Sequence, residues 1–124
     1  MAKILVVDDE PIVQRLLQHH LERAGHEMLT AANGREAIEI ANRDEPELIV
    51  MDVMMAEMDG LTALRRLKKD ADTKAIPVIM ITANPHHVTK QESEAAGAAL
   101  FLTKPFSPNQ LLTEIQRLVP KNPT

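Results

Sequence analysis

The 124 residues, 44% hydrophobic and 26% charged, make one globular domain, long enough to bury about two-thirds of the surface the unfolded chain exposes. A net charge of −4 excludes gripping nucleic acid or anionic membrane through bulk charge; the absence of cysteine excludes disulfides, thiolate zinc sites and thiol nucleophiles, and two Phe with no Trp or Tyr leave no platform for stacking bases. No run of about twenty apolar residues could span a bilayer, and the start MAKILVVDDE meets acid too early for a secretory signal, so the expected compartment is the cytoplasm.

Short apolar runs alternate with amphipathic stretches along the chain. Lys3–Asp8 is almost continuously apolar, the pattern of a strand buried on both faces of a parallel sheet, and it stops at acid. Pro11 opens a helix in which Ile12, Val13, Leu16, Leu17, Leu21 and Ala24 fall at helical spacing, with Gly25 at the C-terminal cap. His26–Ala32 is a weaker, partly alternating strand, and Asn33 is placed to cap a helix carrying Ala37, Ile38, Ile40 and Ala41 that Pro46 closes. Glu47–Asp52 repeats the first strand and again ends on Asp. Leu61–Lys69 predicts a third helix, with Leu61, Leu64 and Leu67 on one face and Arg65, Arg66, Lys68 and Lys69 largely on the other, turned to solvent. Beyond a polar connection at Asp70–Ala75, Pro77–Thr82 is the fourth apolar run and ends on a hydroxyl. A fourth helix around His86–Ala96, stopped by Gly97, leads to a fifth strand, Ala99–Lys104, which ends on an ammonium. Ser107, Pro108 and Gln110 fit N-cap, N1 and N3 of a capping box; Leu111, Leu112, Ile115, Leu118 and Val119 form the apolar face of the last helix, and Pro120 ends it.

Five strand–helix repeats predict an α/β fold, a parallel sheet covered by helices on both faces. An open doubly wound sheet fits, because a closed barrel of eight such units needs about 250 residues. Ligands of such sheets bind beyond the carboxyl ends of the strands, and those ends carry Asp8, Asp9 and Glu10, then Asp52, Thr82 and Lys104. If the first and third strands are neighbours, the Asp residues converge. Carboxylates about 4 Å apart repel by roughly 4 kcal/mol at an effective dielectric near 20, so the cluster calls for a proton, a lysine or a metal. A hard divalent cation such as Mg²⁺, which takes oxygen ligands and phosphate oxygens, fits best.

The segments VVDDE at 6–10, DVMMAEMDG at 52–60, ITA at 81–83, AGA at 96–98 and FLTKPF at 101–106 stand in order at successive strand ends. Over essentially its whole length the chain resembles the receiver domains of two-component response regulators. That resemblance implies the strand order 2-1-3-4-5 of a flavodoxin-like three-layer (βα)₅ sandwich, one receiver domain over residues 1–124 with a tail at 120–124. It makes Asp52 the phosphoacceptor, receiving a phosphoryl group from a phosphohistidine of a sensor kinase or phosphotransfer protein. Mg²⁺ or Mn²⁺ would be held by Asp9, Asp52 and the backbone carbonyl of Met54, with Asp8 acting through water. Lys104 and Thr82 would meet phosphoryl oxygens, Ala83 would leave room for them, and the peptide before Pro105 would be cis. Switching would draw Thr82 inward and let the Phe101 ring turn, altering the face of the fourth helix, fifth strand and fifth helix where a downstream protein docks. Met54 and Asn84, two residues past Asp52 and Thr82, occupy positions that influence the lifetime of the acyl phosphate; Met54 cannot orient a water, which implies slow self-dephosphorylation. Ala56 replaces the family's usual proline, and Phe101 lacks the hydroxyl of the commoner Tyr.

The expected protein is thus a signalling switch that catalyses only its own phosphorylation and dephosphorylation, a monomer or weak phosphorylation-dependent dimer with no direct nucleic-acid or membrane partner. It is either a complete single-domain regulator or the N-terminal receiver of a larger one, such as a transcription factor, with Pro120–Thr124 beginning a linker. A Mg²⁺-dependent phosphatase using Asp52 is a second reading, but haloacid-dehalogenase-like enzymes use D-x-D, which Val53-Met54 breaks. A nucleotide or flavin binder is a third, and Asp8-Asp9-Glu10 would repel its phosphates. The pairs His19-His20 and His86-His87 read as solvated surface, since adjacent residues do not share a helix face. Met51, Met54, Met55 and Met58 read as packing.

Overall fold

The computed structural model describes residues 2–53, 58–83 and 90–119. Its strands are β1 (Lys3–Val7), β2 (Glu27–Ala31), β3 (Leu48–Asp52), β4 (Val78–Thr82) and β5 (Leu100–Thr103); its helices are α1 (Pro11–Arg23), α2 (Gly34–Asp44), α3 (Gly60–Lys69), α4 (Lys90–Ala95) and α5 (Pro108–Leu118). All four strand pairings are parallel, in the order β2-β1-β3-β4-β5. This is the doubly wound architecture expected from the strand–helix repeats.

The two-residue period of a strand sorts the core into two layers. Ile4, Val6, Leu48, Val50, Ile79 and Ile81 point to one face and pack with Leu17 and Leu21 of α1 and Leu111 and Ile115 of α5. Leu5, Val7, Ile49, Met51, Val78 and Met80 point to the other and pack with Ala37 and Ala41 of α2 and Leu61, Ala63, Leu64 and Leu67 of α3. β3 and β4 are buried at every position, which is why they read as unbroken apolar runs.

Helix ends follow local chemistry. Asn33 Oδ1 accepts from the Glu36 N–H at 2.9 Å, and Ser107 Oγ accepts from the Gln110 N–H at 3.3 Å. α2 stops at Asp44; Glu45 then takes the left-handed conformation, φ 48°, since the α region is disfavoured before Pro46. Gly97, with φ 107°, turns the chain after α4, and a Cβ there would lie 2.9 Å from Lys68 Cγ. The Lys68 stem packs at that turn, and its ammonium donates to the carbonyls of Lys74 and Ile76; burial pulls its pKa below the ordinary lysine value.

α1 departs from its expected apolar face. Leu17 and Leu21 are buried, but Ile12 is 78% exposed and Leu16 44% exposed. At 100° per residue, Ile12 and Leu16 share one stripe about a quarter-turn from the line of Val13 and Leu17. Helical spacing alone made one face of what the sheet divides into a buried line and an open one.

Candidate functional site

β1 and β3 lie side by side, with Val7 opposite Met51, so Asp8 just past β1 and Asp52 at the end of β3 share one edge of the sheet. Each has a backbone reason for its position. The Asp8 N–H extends the β1–β2 ladder by donating to the Ala31 carbonyl, 3.1 Å. One oxygen of its carboxylate accepts from the Glu10 N–H at 2.9 Å, closing a tight turn, and the Gln14 side-chain amide reaches back from α1 to the Asp8 carbonyl. Behind Asp52 the chain folds so closely that a Cβ on Gly60 would stand 2.2 Å from the Asp52 carbonyl oxygen; the Gly60 N–H donates to Val53 at 2.9 Å. Asp59 caps α3 through the Thr62 N–H.

Lys104 enters from beyond β5, where its N–H continues the ladder to the Thr82 carbonyl at 2.8 Å and the Lys104–Pro105 peptide is cis. Its Nζ lies 3.1 Å from Asp8 Oδ2, 3.0 Å from Asp52 Oδ2 and 3.0 Å from Glu10 Oε1, one acceptor for each of the three ammonium N–H groups. Burial alone would pull the Lys104 pKa down, but the hydrogen bonds to Glu10 and Asp52 and the charges of Asp52 and Asp8 outweigh it and raise it above the ordinary lysine value. Burial pushes the Asp8 carboxyl above the usual carboxylate range and the neighbouring Asp52 charge adds to this; the Glu10 N–H and Lys104 pull it back.

Asp8, Asp9, Glu10 and Asp52 each bring a carboxylate oxygen within 4.8 Å of the others. At that spacing each pair of charges repels by roughly 3–4 kcal/mol at an effective dielectric near 20, and one ammonium cannot neutralise four of them. The donor set is all hard oxygen, two of its members buried and two open to solvent, which fits a small divalent cation that keeps several waters.

The residues singled out from the sequence fall as follows. Asp8, Asp9, Asp52 and Lys104 converge. Thr82 is buried at the end of β4, beside Thr103 of β5, on the same edge of the sheet. Phe101 sits opposite Met80 and packs, half buried, against the core layer of α2 and α3. Ala83 is exposed and lines, with Val13, Leu16, Lys104, Pro105 and Phe106, a groove of about 370 Å³ beside the acids. Met54, Ala56, Asn84, His86, His87 and the tail 120–124 lie outside the described residues. Four contributors had no role in the site assigned from the sequence. Glu10 pairs with Lys104, Gln14 anchors the Asp8 turn, Gly60 makes room behind Asp52, and Leu16 walls the groove. The sequence already set Glu10 among the acids at the strand ends, without a role of its own; nothing in it marks Gln14.

Residues 4–116 match the model of the response regulator receiver domain. The chain is 39% identical over 119 residues to protein PilH of Pseudomonas aeruginosa, covering 96% of this chain and 98% of PilH. It is 38% identical to the transcriptional regulatory protein PhoP of Bacillus subtilis over 94% of this chain, spanning 48% of that regulator's length. Among solved structures it superimposes on chemotaxis protein CheY4 of Vibrio cholerae with a TM-score of 0.88 at 38% identity, covering 96% of this chain and 99% of that one. The receiver domain of the sensor histidine kinase PA1611 of P. aeruginosa, solved with magnesium in its active-site cleft, gives 0.86 at 29% identity, covering 94% of this chain and 96% of that one. With the acids, the lysine and the hydroxyl already at the strand ends, the chain belongs to the response regulator receiver domain family of two-component signal transduction.

Proposed function

We propose that Asp52 is the phosphoacceptor and that a phosphohistidine of a sensor kinase or phosphotransfer protein is its donor. The observation that carries this reading is the Lys104 ammonium seated 3.0 Å from Asp52 inside a ring of acids at the sheet edge. An Asp52 carboxylate oxygen attacks phosphorus; the O–P bond forms as the P–N bond breaks, and the donor imidazole leaves with the electron pair and takes up a proton. Lys104 turns an N–H toward one phosphoryl oxygen and Thr82 donates its hydroxyl to another, so the charge that Asp52 gains is met where it appears. Asp9, Asp52 and the Met54 backbone carbonyl, with Asp8 acting through water, would hold Mg²⁺, which when bound would supply positive charge to offset that of the phosphoryl oxygens. The chain's own contribution is placement, through the Asp8 turn, the Gly60 approach and the ladder bond of Lys104 to Thr82.

The donor docks over the groove beside Lys104. Ile12 and Leu16 leave a solvent-exposed apolar stripe on α1, and the groove that Leu16 walls shares Lys104 with the acidic ring, so a protein seated there holds its phosphohistidine against Asp52. The signal leaves on the other side, where Thr82 and Phe101 stand on adjacent strands and movement of either alters the surface of α4, β5 and α5 that a downstream protein reads. Incubation with acetyl phosphate and Mg²⁺ followed by mass measurement tests the chemistry. The expected result is one stoichiometric phosphoryl adduct, absent in Asp52→Ala. Sustained turnover of a phosphomonoester would instead establish a phosphatase.

A further inference from the structure

Glu10 is the one member of the acidic ring that combines direct contact with Lys104 and solvent exposure. Its side chain is 59% exposed, against 5% for Asp8 and 4% for Asp52, yet its carboxylate holds Lys104 Nζ at 3.0 Å. With three acceptors on three N–H groups, the resting ammonium has none left for a phosphoryl oxygen. A phosphoryl group on Asp52 must therefore displace one of them, and the bond with most access to water costs least to exchange.

A second observation concerns what Glu10 does not do. It occupies the N-cap position of α1, with extended φ −95° and ψ 113°, but its side chain makes no capping bond. Pro11 at N1 carries no N–H, so the first free donors at that helix end belong to Ile12 and Val13. The carboxylate bonds Lys104 and makes no capping bond to its own helix.

We infer that Glu10 is a positioning residue, a resting-state stand-in for the phosphoryl group that occupies Lys104 until Asp52 is phosphorylated and then passes to the N-terminus of α1. The exchange rests on the phosphoacceptor reading above and extends it. It ties the charge on Asp52 to the helix that carries Ile12 and Leu16, so the donor-docking face differs before and after transfer. A carboxylate released at a helix N-terminus is stabilised by the helix dipole, which offsets part of the lost ion pair.

The test uses beryllofluoride as the phosphoryl mimic at saturating Mg²⁺, followed by ¹H–¹⁵N NMR on the full chain. In the wild type the Ile12 and Val13 amides shift on binding. In Glu10→Ala those shifts are lost and the mimic binds about two- to fivefold tighter, the measure of one exposed ion pair that no longer competes; Glu10→Gln, which keeps the acceptor and loses the charge, falls between. Glu22→Gln makes the same charge change on an exposed part of α1 and leaves affinity unaltered. Equal gains in Glu22→Gln and Glu10→Gln, unchanged or weaker affinity in Glu10→Ala, or wild-type Ile12 and Val13 amides that do not respond would each overturn the role of Glu10. A wild type that binds no mimic would instead remove the phosphoacceptor reading itself.

Discussion

Gly60→Ala is the sharpest perturbation of the site that removes none of its charged groups. The added methyl would meet the Asp52 carbonyl oxygen at 2.2 Å, with the Asp52 carbonyl carbon and Val53 Cα both at 3.0 Å. All three are backbone, so no rotamer relieves the clash; the chain after β3 must move outward by about 1 Å, taking up strain typical of overpacking, about 1–3 kcal/mol. That movement also stretches the Gly60 N–H bond to Val53 and tilts the Asp59 cap of α3, each worth about 1 kcal/mol. Against these, alanine in place of glycine in a helix gains up to about 1 kcal/mol. The net expectation is a loss of roughly 2–4 kcal/mol, on the order of 10 °C in Tm. Gly25→Ala is the internal comparison: its φ is 87° but nothing lies within 4 Å, so only left-handed strain of about 1–2 kcal/mol applies. Urea melts followed by far-UV circular dichroism measure both, since without Trp or Tyr the chain gives no useful intrinsic fluorescence. Gly60→Ala should also slow phosphoryl uptake from acetyl phosphate, because Asp52 is displaced with its carbonyl. A Gly60→Ala protein that loses less stability than Gly25→Ala, with unchanged uptake, would refute the close-approach argument.

Two further expectations follow from the same geometry. His26 accepts the Ala2 N–H on Nδ1 at 3.1 Å, and burial holds its pKa below the ordinary value despite the opposing charge of Glu47. The unfolded chain therefore takes up the proton first, so this contribution is complete above about pH 6.5 and is lost as pH falls from there toward the depressed folded value. The urea midpoint should drop between pH 7 and pH 5 by more in the wild type than in His26→Gln; an equal drop in both refutes it. On α1, Ile12→Ser with Leu16→Ser should change stability by less than about 1 kcal/mol, because both residues are exposed. The same pair should slow transfer from a phosphorylated donor protein at least tenfold while leaving uptake from acetyl phosphate intact. Equal slowing with both donors would show that the stripe serves the site and not the docking of a partner.

The fold was legible where burial was symmetrical. β3 and β4 face a helical layer on each side, so continuous apolar runs identified them, and the caps at Asn33, Gly97 and Ser107 follow from chemistry within a few residues of each helix end. Legibility failed on α1, where the pattern is a sum of two causes. Leu17 and Leu21 are apolar because the sheet buries them, while Ile12 and Leu16 are apolar on a surface left open beside the acidic edge. Periodicity records only that a residue is apolar, and both causes share the same 3.6-residue repeat.

The site divides along a similar line. Asp8, Asp52, Thr82 and Lys104 could be placed from sequence because each ends or just follows a strand, and parallel strands bring their carboxyl ends to one edge whatever the loops do. Glu10, Gln14 and Gly60 act through distances that only the folded chain sets. The sequence offers Lys104 several acids and does not say which of them holds it; that depends on the Asp8 turn, which accepts the Glu10 N–H on one carboxylate oxygen and leaves the other for the lysine, 3.1 Å away. The same turn puts the Glu10 carboxylate on the solvent side of Lys104 and Gln14 one turn further along α1, within reach of the Asp8 carbonyl. With a buried pair of acids and an exposed third one sharing a single cation, the third is the one that yields at least cost. The resting state is thereby built to give up a surface bond, not a buried one, when a new anion arrives at Asp52.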